Sequence, residues 1–426
     1  MAELYETEVA PKRAFLIGIR NDRSDAARAE SETESLAKEL AGLASTLGLV
    51  IAAQEKVHIR ERHHKFGMGT GKADAIAEKA AELGVDCLVF DGDLSPSQQR
   101  NWERLTGIAA VDRQELIIQI FAGRARTREA EIQVALAQLF YALPRLTHKY
   151  IDLSRQRGGR YGTKGSGETK LETDRRQVEQ RIYRLKEELA EVRKQRAVQR
   201  KKREKESASC ALVGYTNSGK SSLLNALTGS GVLAEDKLFA TLDATTRILP
   251  GKGPSLVITD TVGFIRRLPH ALVDAFRSTL EEAAQADLLV HVLDASESDI
   301  DSFYETTLSV LRDLGADKKP ILTALNKIDR LESSEALDSL LRRYPNSIPV
   351  SALSGSGLDC LTRRMSAALS GPVRRFRFPP DRSDLAALVH RNGTVLEETY
   401  EGTYIEVEAR VDEQITEKLK DYITLS

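Results

Sequence analysis

Between Cys210 and Leu227 the chain passes from a short apolar strand (Cys210-Ala-Leu-Val) to a helix (Ser222-Leu-Leu-Asn-Ala-Leu) through eight residues: Gly214, Tyr215, Thr216, Asn217, Ser218, Gly219, Lys220 and Ser221. A strand, a G-x-x-x-x-G-K-[ST] turn and a helix, in that order, make a phosphate-binding loop. Gly214 and Gly219 let the backbone curl so that its N–H groups converge on a β-phosphate at the helix N-terminus. Lys220 supplies a point charge between the β- and γ-phosphates. The Ser221 hydroxyl is a ligand for Mg²⁺, whose other ligands are phosphate oxygens and water. Such a loop belongs at the carboxyl edge of an open parallel sheet, so the segment fixes an α/β, doubly wound, mostly parallel architecture around it.

Three further segments end predicted strands in the same way. Ser255-Leu-Val-Ile-Thr runs into Asp260, Thr261, Val262 and Gly263. There Asp260 can hold Mg²⁺ through water, and Gly263 lets a backbone N–H approach the γ-phosphate. Ile321-Leu-Thr-Ala-Leu runs into Asn326, Lys327, Ile328 and Asp329. Asp329 can accept from N1–H and the 2-amino group of guanine, Asn326 faces the other edge, and the Lys327 stem can lie over the base. Adenine lacks that donor pair and would leave a buried carboxylate unpaired, a mismatch worth ~10⁴–10⁵-fold. The segment Ser347-Ile-Pro-Val ends in Ser351, Ala352 and Leu353, where the Ala352 N–H can reach the guanine O6. Together these elements read as a GTP/GDP site with Mg²⁺ as cofactor.

The first switch belongs in Leu238–Arg247, and its Thr241, Thr245 and Thr246 are each candidates to complete the Mg²⁺ shell. Many GTPases orient the attacking water with a Gln just after Asp-x-x-Gly. Here that position is Phe264, followed by Ile265. A phenyl ring cannot hold a water, so no catalytic base is assigned and unaided hydrolysis should be slow. Phe264 could be ordinary packing, but an apolar pair at this place in a switch favours regulated geometry.

Around this site the chain reads as four parts. Residues 1–126 alternate strands (near 13–20, 49–53 and 86–91) with helices (near 32–47 and 72–83), a small α/β domain. Residues 127–206 form a helical hairpin arm. Its first helix, capped by Thr127, carries Ile132, Leu136, Leu139, Phe140 and Leu143 at helical spacing, and Pro144 should stop it. Its second helix, from about Leu171, carries Val178, Ile182, Leu185, Leu189 and Val192 at heptad spacing. The apolar seam lapses from Arg193 to Lys205, which suggests a linker or fraying end. Between the helices, Gly158–Glu168 has five glycines in eleven residues and must be a loop. Residues 207–371 form the nucleotide domain. Residues 372–426 form a small α+β domain with a hairpin (Val395–Tyr400 and Thr403–Glu408) and a helix from about Asp412.

The charge is segregated. Arg155–Lys205 carries 18 Lys/Arg against 8 Asp/Glu, or +10, in a chain whose total is -1. A basic block in an otherwise acidic protein suits a polyanion, although a solvated linking helix would look similar. Candidate RNA contacts are Arg157, Arg160, Tyr161, Lys164, Lys170, Arg175 and Arg176, with Tyr161 and the arginine planes able to stack on unpaired bases. A content of 41% apolar and 29% charged residues, with no run near the ~18 apolar residues of a spanning helix, excludes membrane and fibrous classes. Three cysteines (Cys87, Cys210, Cys360) cannot build a disulfide framework and suit a reducing cytoplasm. The acidic start lacks the pattern of a secretion signal.

The chain resembles the HflX family of translation-related GTPases. The resemblance rests on Leu94-Ser-Pro-Ser-Gln-Gln-Arg-Asn101, Phe121–Glu129, Gly165–Arg176, Gly214–Ser221, Phe239-Ala-Thr-Leu-Asp243, Asp260–Ile265, Leu268-Pro-His270 and Ala275–Glu282, and spans roughly residues 13–353. It departs from the family pattern at Ser166 and Ala244, where prolines are usual. It implies that Phe239, Ala240, Thr241, Leu242 and Asp243 line the nucleotide, with Thr241 as the switch ligand of Mg²⁺. It also implies binding to the large ribosomal subunit and its rRNA, with the glycine-rich loop directed at the peptidyl-transferase centre. Finally, it implies ribosome-stimulated GTP hydrolysis and the splitting or rescue of stalled ribosomes.

The expectation is therefore a cytoplasmic GTPase, monomeric when free, with the arm as effector. A GTP-gated RNA-processing or ribosome-assembly factor is the alternative, and a non-hydrolysing scaffold a second one. Gly67-Met-Gly-Thr-Gly-Lys72 has the wrong spacing for a Walker loop and reads as a turn. His58, His63 and His64 lack a carboxylate or cysteine at metal-ligand spacing, and Trp102 among polar neighbours reads as partial packing.

Overall fold

The computed structural model describes residues 12–21, 26–149, 166–203, 207–231, 237–250, 255–267, 282–369, 373–411 and 413–424. The chain divides into two compact units. One is Met1–Lys194 with Asp236–Leu242 and Arg267–Arg277; the other is Gln195–Glu235 with Asp243–Arg266 and Ser278–Ser426.

In the first unit, β1 (Arg13–Asn21), β2 (Val50–Ile59), β3 (Cys87–Phe90) and β4 (Ala109–Asp112) form a parallel sheet in the order β2-β1-β3-β4. α1 (Ala26–Thr46), α2 (Thr70–Leu83), α3 (Pro96–Thr106) and α4 (Arg113–Arg124) connect and flank the strands. β3 is buried along its whole length, which is why Cys-Leu-Val-Phe shows no polar alternation. Trp102 overturns the expectation of partial packing. It is fully buried, and its indole Nε1 donates to the Phe66 carbonyl at 3.0 Å. Its polar neighbours on α3 are half-buried or exposed, and Trp102 is the buried residue of that helix.

The arm helices are α5 (Arg128–Lys149) and α6 (Ser166–Arg203). The predicted seam is present: Ile132, Leu136, Ile182, Leu185 and Leu189 are buried together, with Leu139, Phe140, Leu143, Val178 and Val192 packed against them. Three expectations fail. α6 begins at Ser166 rather than near Leu171 and so takes in the end of the segment expected to be loop. Pro144 lies inside α5 instead of ending it. The next residue explains how the helix continues: the Arg145 guanidinium bonds Tyr141 O, Leu94 O, Gln99 and Asp112, tying the following turn to the domain. Tertiary anchoring outweighs the missing backbone bond and the ring clash, together about 3 kcal/mol. α6 also runs on to Arg203, past the point where the apolar seam lapses, because Lys, Arg, Gln and Glu are good helix formers.

The second unit holds a six-stranded sheet of β5 (Ser207–Val213), β6 (Thr245–Ile248), β7 (Ser255–Asp260), β8 (Leu288–Asp294), β9 (Ile321–Asn326) and β10 (Ile348–Pro349). Its order is β10-β9-β8-β5-β7-β6, and only the β6–β7 pairing is antiparallel. The direction of connection changes at β5, so the crevice at its carboxyl end is the place such a sheet offers a ligand. α7 (Lys220–Thr228), α8 (Ile300–Asp313), α9 (Ser334–Arg343) and α10 (Leu358–Leu369) accompany the sheet.

In the same unit, β11 (Val373–Phe378), β12 (Thr394–Glu401) and β13 (Tyr404–Arg410) form an antiparallel sheet in the order β11-β13-β12. α11 (Ser383–Asn392) and the short α12 (Glu413–Lys418) contribute Val389 and Ile415 to its core with Phe376, Phe378 and Val407. The hairpin matches expectation; β11 and α11 were not foreseen. Alternation in Val-Arg-Arg-Phe-Arg-Phe is masked by the extra arginine.

Candidate nucleotide-binding site

β5 is the inner strand between β7 and β8, and Cys210–Val213 are fully buried. The loop that leaves it is braced from two sides. Phe264 N donates to Gly214 O at 3.0 Å, and Thr216 N donates to Phe264 O at 2.7 Å. On the other side, Asn326 Nδ2 donates to Ser218 O at 3.0 Å, and Lys327 Nζ donates to Asn217 O at 2.9 Å. Gly219, which opens α7, has φ +90, and a Cβ there would lie 2.3 Å from Asn326 Nδ2. Gly263 is constrained by space alone, since a Cβ would meet Thr216 Cα at 2.6 Å. Both glycines therefore serve close approach between loops that come from different strands.

Lys220 is buried, and its Nζ donates to Gly214 O at 3.2 Å and Tyr215 O at 2.8 Å. Burial, with Lys327 adding to it and Asp260 opposing, pulls its pKa down to about 8. An ammonium held by carbonyls at the start of a helix is poised for an anion. Ser221 Oγ donates to Asp260 Oδ2 at 2.6 Å. That pair joins a hydroxyl in the first turn of α7 to a carboxylate at the carboxyl end of β7, two hard oxygen donors that fit Mg²⁺. Thr261 turns away from them, its hydroxyl donating to Leu212 O at 2.7 Å. Val262 is buried beside it.

At the other end of the crevice, Asp329 accepts a hydrogen bond from Ser351 Oγ. Ala352 N, expected to face a base oxygen, donates to Asn326 Oδ1 at 3.1 Å. With both ends of its amide engaged, Asn326 is a strut between the phosphate loop and the Ser351 loop. Ile328 packs beside Leu325, and Leu353 is 87% exposed. Lys327 sits in the left-handed region at φ 61, and its Nζ lies 2.6 Å from Asp294 Oδ2. The sequence reading missed Asp294, although it ends β8 at the same sheet edge as Asp260 and Asn326. It also missed the aromatic brace of the loop. Tyr215 stacks on Phe303 at 3.9 Å, and its hydroxyl accepts from Arg266 N at 2.9 Å.

Phe264 and Ile265 are both 1% exposed, and Phe264 joins the core of Val213, Ala283 and Leu289. In this structure both side chains lie in core packing. Phe239, Ala240, Thr241 and Leu242 belong to the segment grouped with the first unit, where the Phe239 ring meets Phe121 edge-on at 4.7 Å; Asp243 belongs to the second unit. Of the candidate RNA contacts, Arg157, Arg160, Tyr161 and Lys164 lie outside the described residues, as does the Lys170 side chain. Arg175 and Arg176 are exposed on α6 and pair along it with Glu179 and Glu172.

Family models match consecutive stretches: a GTP-binding GTPase N-terminal region over 34–122, a GTP-binding GTPase middle region over 124–203 and a 50S ribosome-binding GTPase over 209–327. The GTPase HflX of Akkermansia muciniphila is 46% identical over 423 residues, covering 95% of this chain and 96% of that protein. The GTPase HflX of Escherichia coli K12 is 44% identical over 328 residues, 76% of this chain and 77% of that protein.

The chain belongs to the HflX family of GTPases.

Like its HflX relatives it is a GTPase built on a phosphate-binding loop, and its nucleotide domain is of the 50S ribosome-binding type. A GTP-binding protein from Sulfolobus solfataricus, solved with GDP, is 26% identical, with a TM-score of 0.45 over 84% of this chain and 99% of that one. Among the described residues no helix is long and apolar enough to cross a membrane.

Proposed function

We propose that this chain binds GTP with Mg²⁺, hydrolyses it slowly when alone, and docks on the large ribosomal subunit, where the arm is the effector that splits or rescues stalled ribosomes. The observation that carries the nucleotide reading is the pocket end, where Ser351 orients Asp329 while Asn326 locks the flanking loops together. A carboxylate oriented in this way suits the N1–H and 2-amino donors of guanine, and adenine would leave it unmatched.

The chain's own groups divide the work. The loop N–H groups and Lys220 hold the β- and γ-phosphates, and Lys327 carries the base on its stem. Ser221, with Asp260 through water, would hold Mg²⁺. That ion, when bound, neutralises charge on the phosphate oxygens. The Phe264 ring is packed into the core and has no group that can orient water. That supports slow intrinsic turnover and a need for an outside partner, worth ~10³–10⁵-fold where such help operates.

The test is GTP hydrolysis with and without purified large subunits, with ATP and free rRNA as controls, followed by light scattering of intact ribosomes. GTP-specific acceleration by subunits is expected. Free RNA sufficing would favour the RNA-processing alternative, and no turnover under any condition would leave a scaffold.

A further inference from the structure

We propose that the turn Arg60–Lys65, between β2 and α2 of the first unit, is a second RNA-contacting surface, separate from the arm and shaped for a phosphate backbone. This rests on the ribosome-docking reading and names one more surface that would carry it.

All six residues (Arg60, Glu61, Arg62, His63, His64, Lys65) are exposed, whereas the next three (Phe66, Gly67, Met68) are buried. The turn is held by its carbonyls. Asn101 Nδ2 donates to Lys65 O at 2.8 Å, Trp102 Nε1 to Phe66 O at 3.0 Å and Gln98 Nε2 to His63 O at 3.4 Å. Gly67 N closes it onto His63 O at 2.8 Å. Gln98 is itself fixed, since it forms a capping box with Ser95. The Trp102 bond satisfies a buried indole and needs no further reason. Gln98 and Asn101 are only half-buried, so water could satisfy them. Instead one helix supplies three braces to a turn on which Arg62 and Lys65 are exposed cations. The string Leu94–Asn101, which nothing in nucleotide chemistry uses, thus has a structural task.

Pre-ordering matters because association is opposed by the entropy of immobilising loops and long side chains. An already ordered backbone leaves only the side-chain ends to settle on phosphates. The ligand class follows from what the surface lacks. Among the described residues the exposed large hydrophobics of this unit are Val50, Leu105 and Tyr183, and none of them belongs to the turn. A protein partner would be anchored by aromatic or aliphatic side chains in a desolvated centre. Phosphate contacts need only cations at fixed positions.

The experiment measures binding to purified large subunits, with a non-hydrolysable GTP analogue, from 50 to 300 mM salt. Arg62→Gln with Lys65→Gln should lower the slope of log K against log salt by about 1.4–1.8, as expected when two phosphates are no longer neutralised. GTP affinity should stay unchanged. Gln98→Ala with Asn101→Ala keeps every charge, so it should weaken binding several-fold with the slope retained. Irradiating the complex on subunits containing 4-thiouridine should place adducts within residues 60–65. Wild-type binding with an unchanged slope in the charge variant overturns the proposal while leaving ribosome docking intact. Adducts only elsewhere, or cross-links from this turn to protein alone, also overturn it. No wild-type binding to subunits overturns the docking reading and this surface with it.

Discussion

Lys220 and His291 are both buried titratable groups of the second unit, and they make opposite demands on pH. Lys220 is held near a pKa of about 8 by burial, so above that pH a growing share of it is neutral. Phosphate oxygens favour the ammonium, so nucleotide binding near pH 8 should draw in on the order of half a proton per site, and affinity should fall as pH rises through 8. Calorimetry in two buffers of different ionisation enthalpy checks this; equal apparent enthalpies would refute it. His291 is fully buried in β8, stacked on Tyr304 at 5.1 Å, and neither ring nitrogen has a hydrogen-bond partner among the described residues. Burial, with the nearby Lys220 charge second, pushes its pKa down to about 3. The unfolded chain takes up that proton near pH 6.5 and the folded chain does not. Stability contributed by the neutral ring is therefore complete above 6.5 and declines by roughly 1.4 kcal/mol per unit as pH falls toward 3. His291→Phe keeps the stack and removes the proton site. Its thermal midpoint should be unchanged or higher at pH 7.5 and fall less than that of the wild type at pH 5.5.

At the scale of elements, the arm depends on its seam. Leu185 is 4% exposed between Ile182 and Leu189, facing Ile132 and Leu136 of the other helix. Leu185→Ala should cost about 2–5 kcal/mol of local stability. Hydrogen exchange in α5 and α6 should rise while β5, β7 and β8 keep their protection. Uniform loss across both units would show that the arm is not a separate cooperative element. The loops of the nucleotide crevice behave differently, because polar struts hold them. Asn326, Lys327 and the Phe264 backbone fasten the phosphate loop at four points. This is preorganisation of the kind that phosphoryl transfer uses in place of covalent chemistry.

For the whole molecule, a total charge of -1 conceals a basic block of +10 at Arg155–Lys205. Replacing Arg175 and Arg176 with Gln should weaken docking on large subunits and flatten its salt dependence by about 0.7–0.9 for each phosphate left without its cation. Nucleotide affinity should not change, and unaltered docking would remove this part of the arm from the mechanism. The amino-acid order alone determined the phosphate loop, the strand ends that carry Asp260, Asn326 and Asp329, and the heptad seam. Each of these is a local pattern whose chemistry is written in consecutive or periodic residues. Folding decided what depends on residues distant in the chain. It made Asn326 a strut between two loops, sank Phe264 into the core, buried Trp102 under Phe66 and carried α5 past Pro144. In each case a partner tens of residues away, or more, supplied the hydrogen bond or packing surface, and no spacing rule within a single segment encodes such a partner.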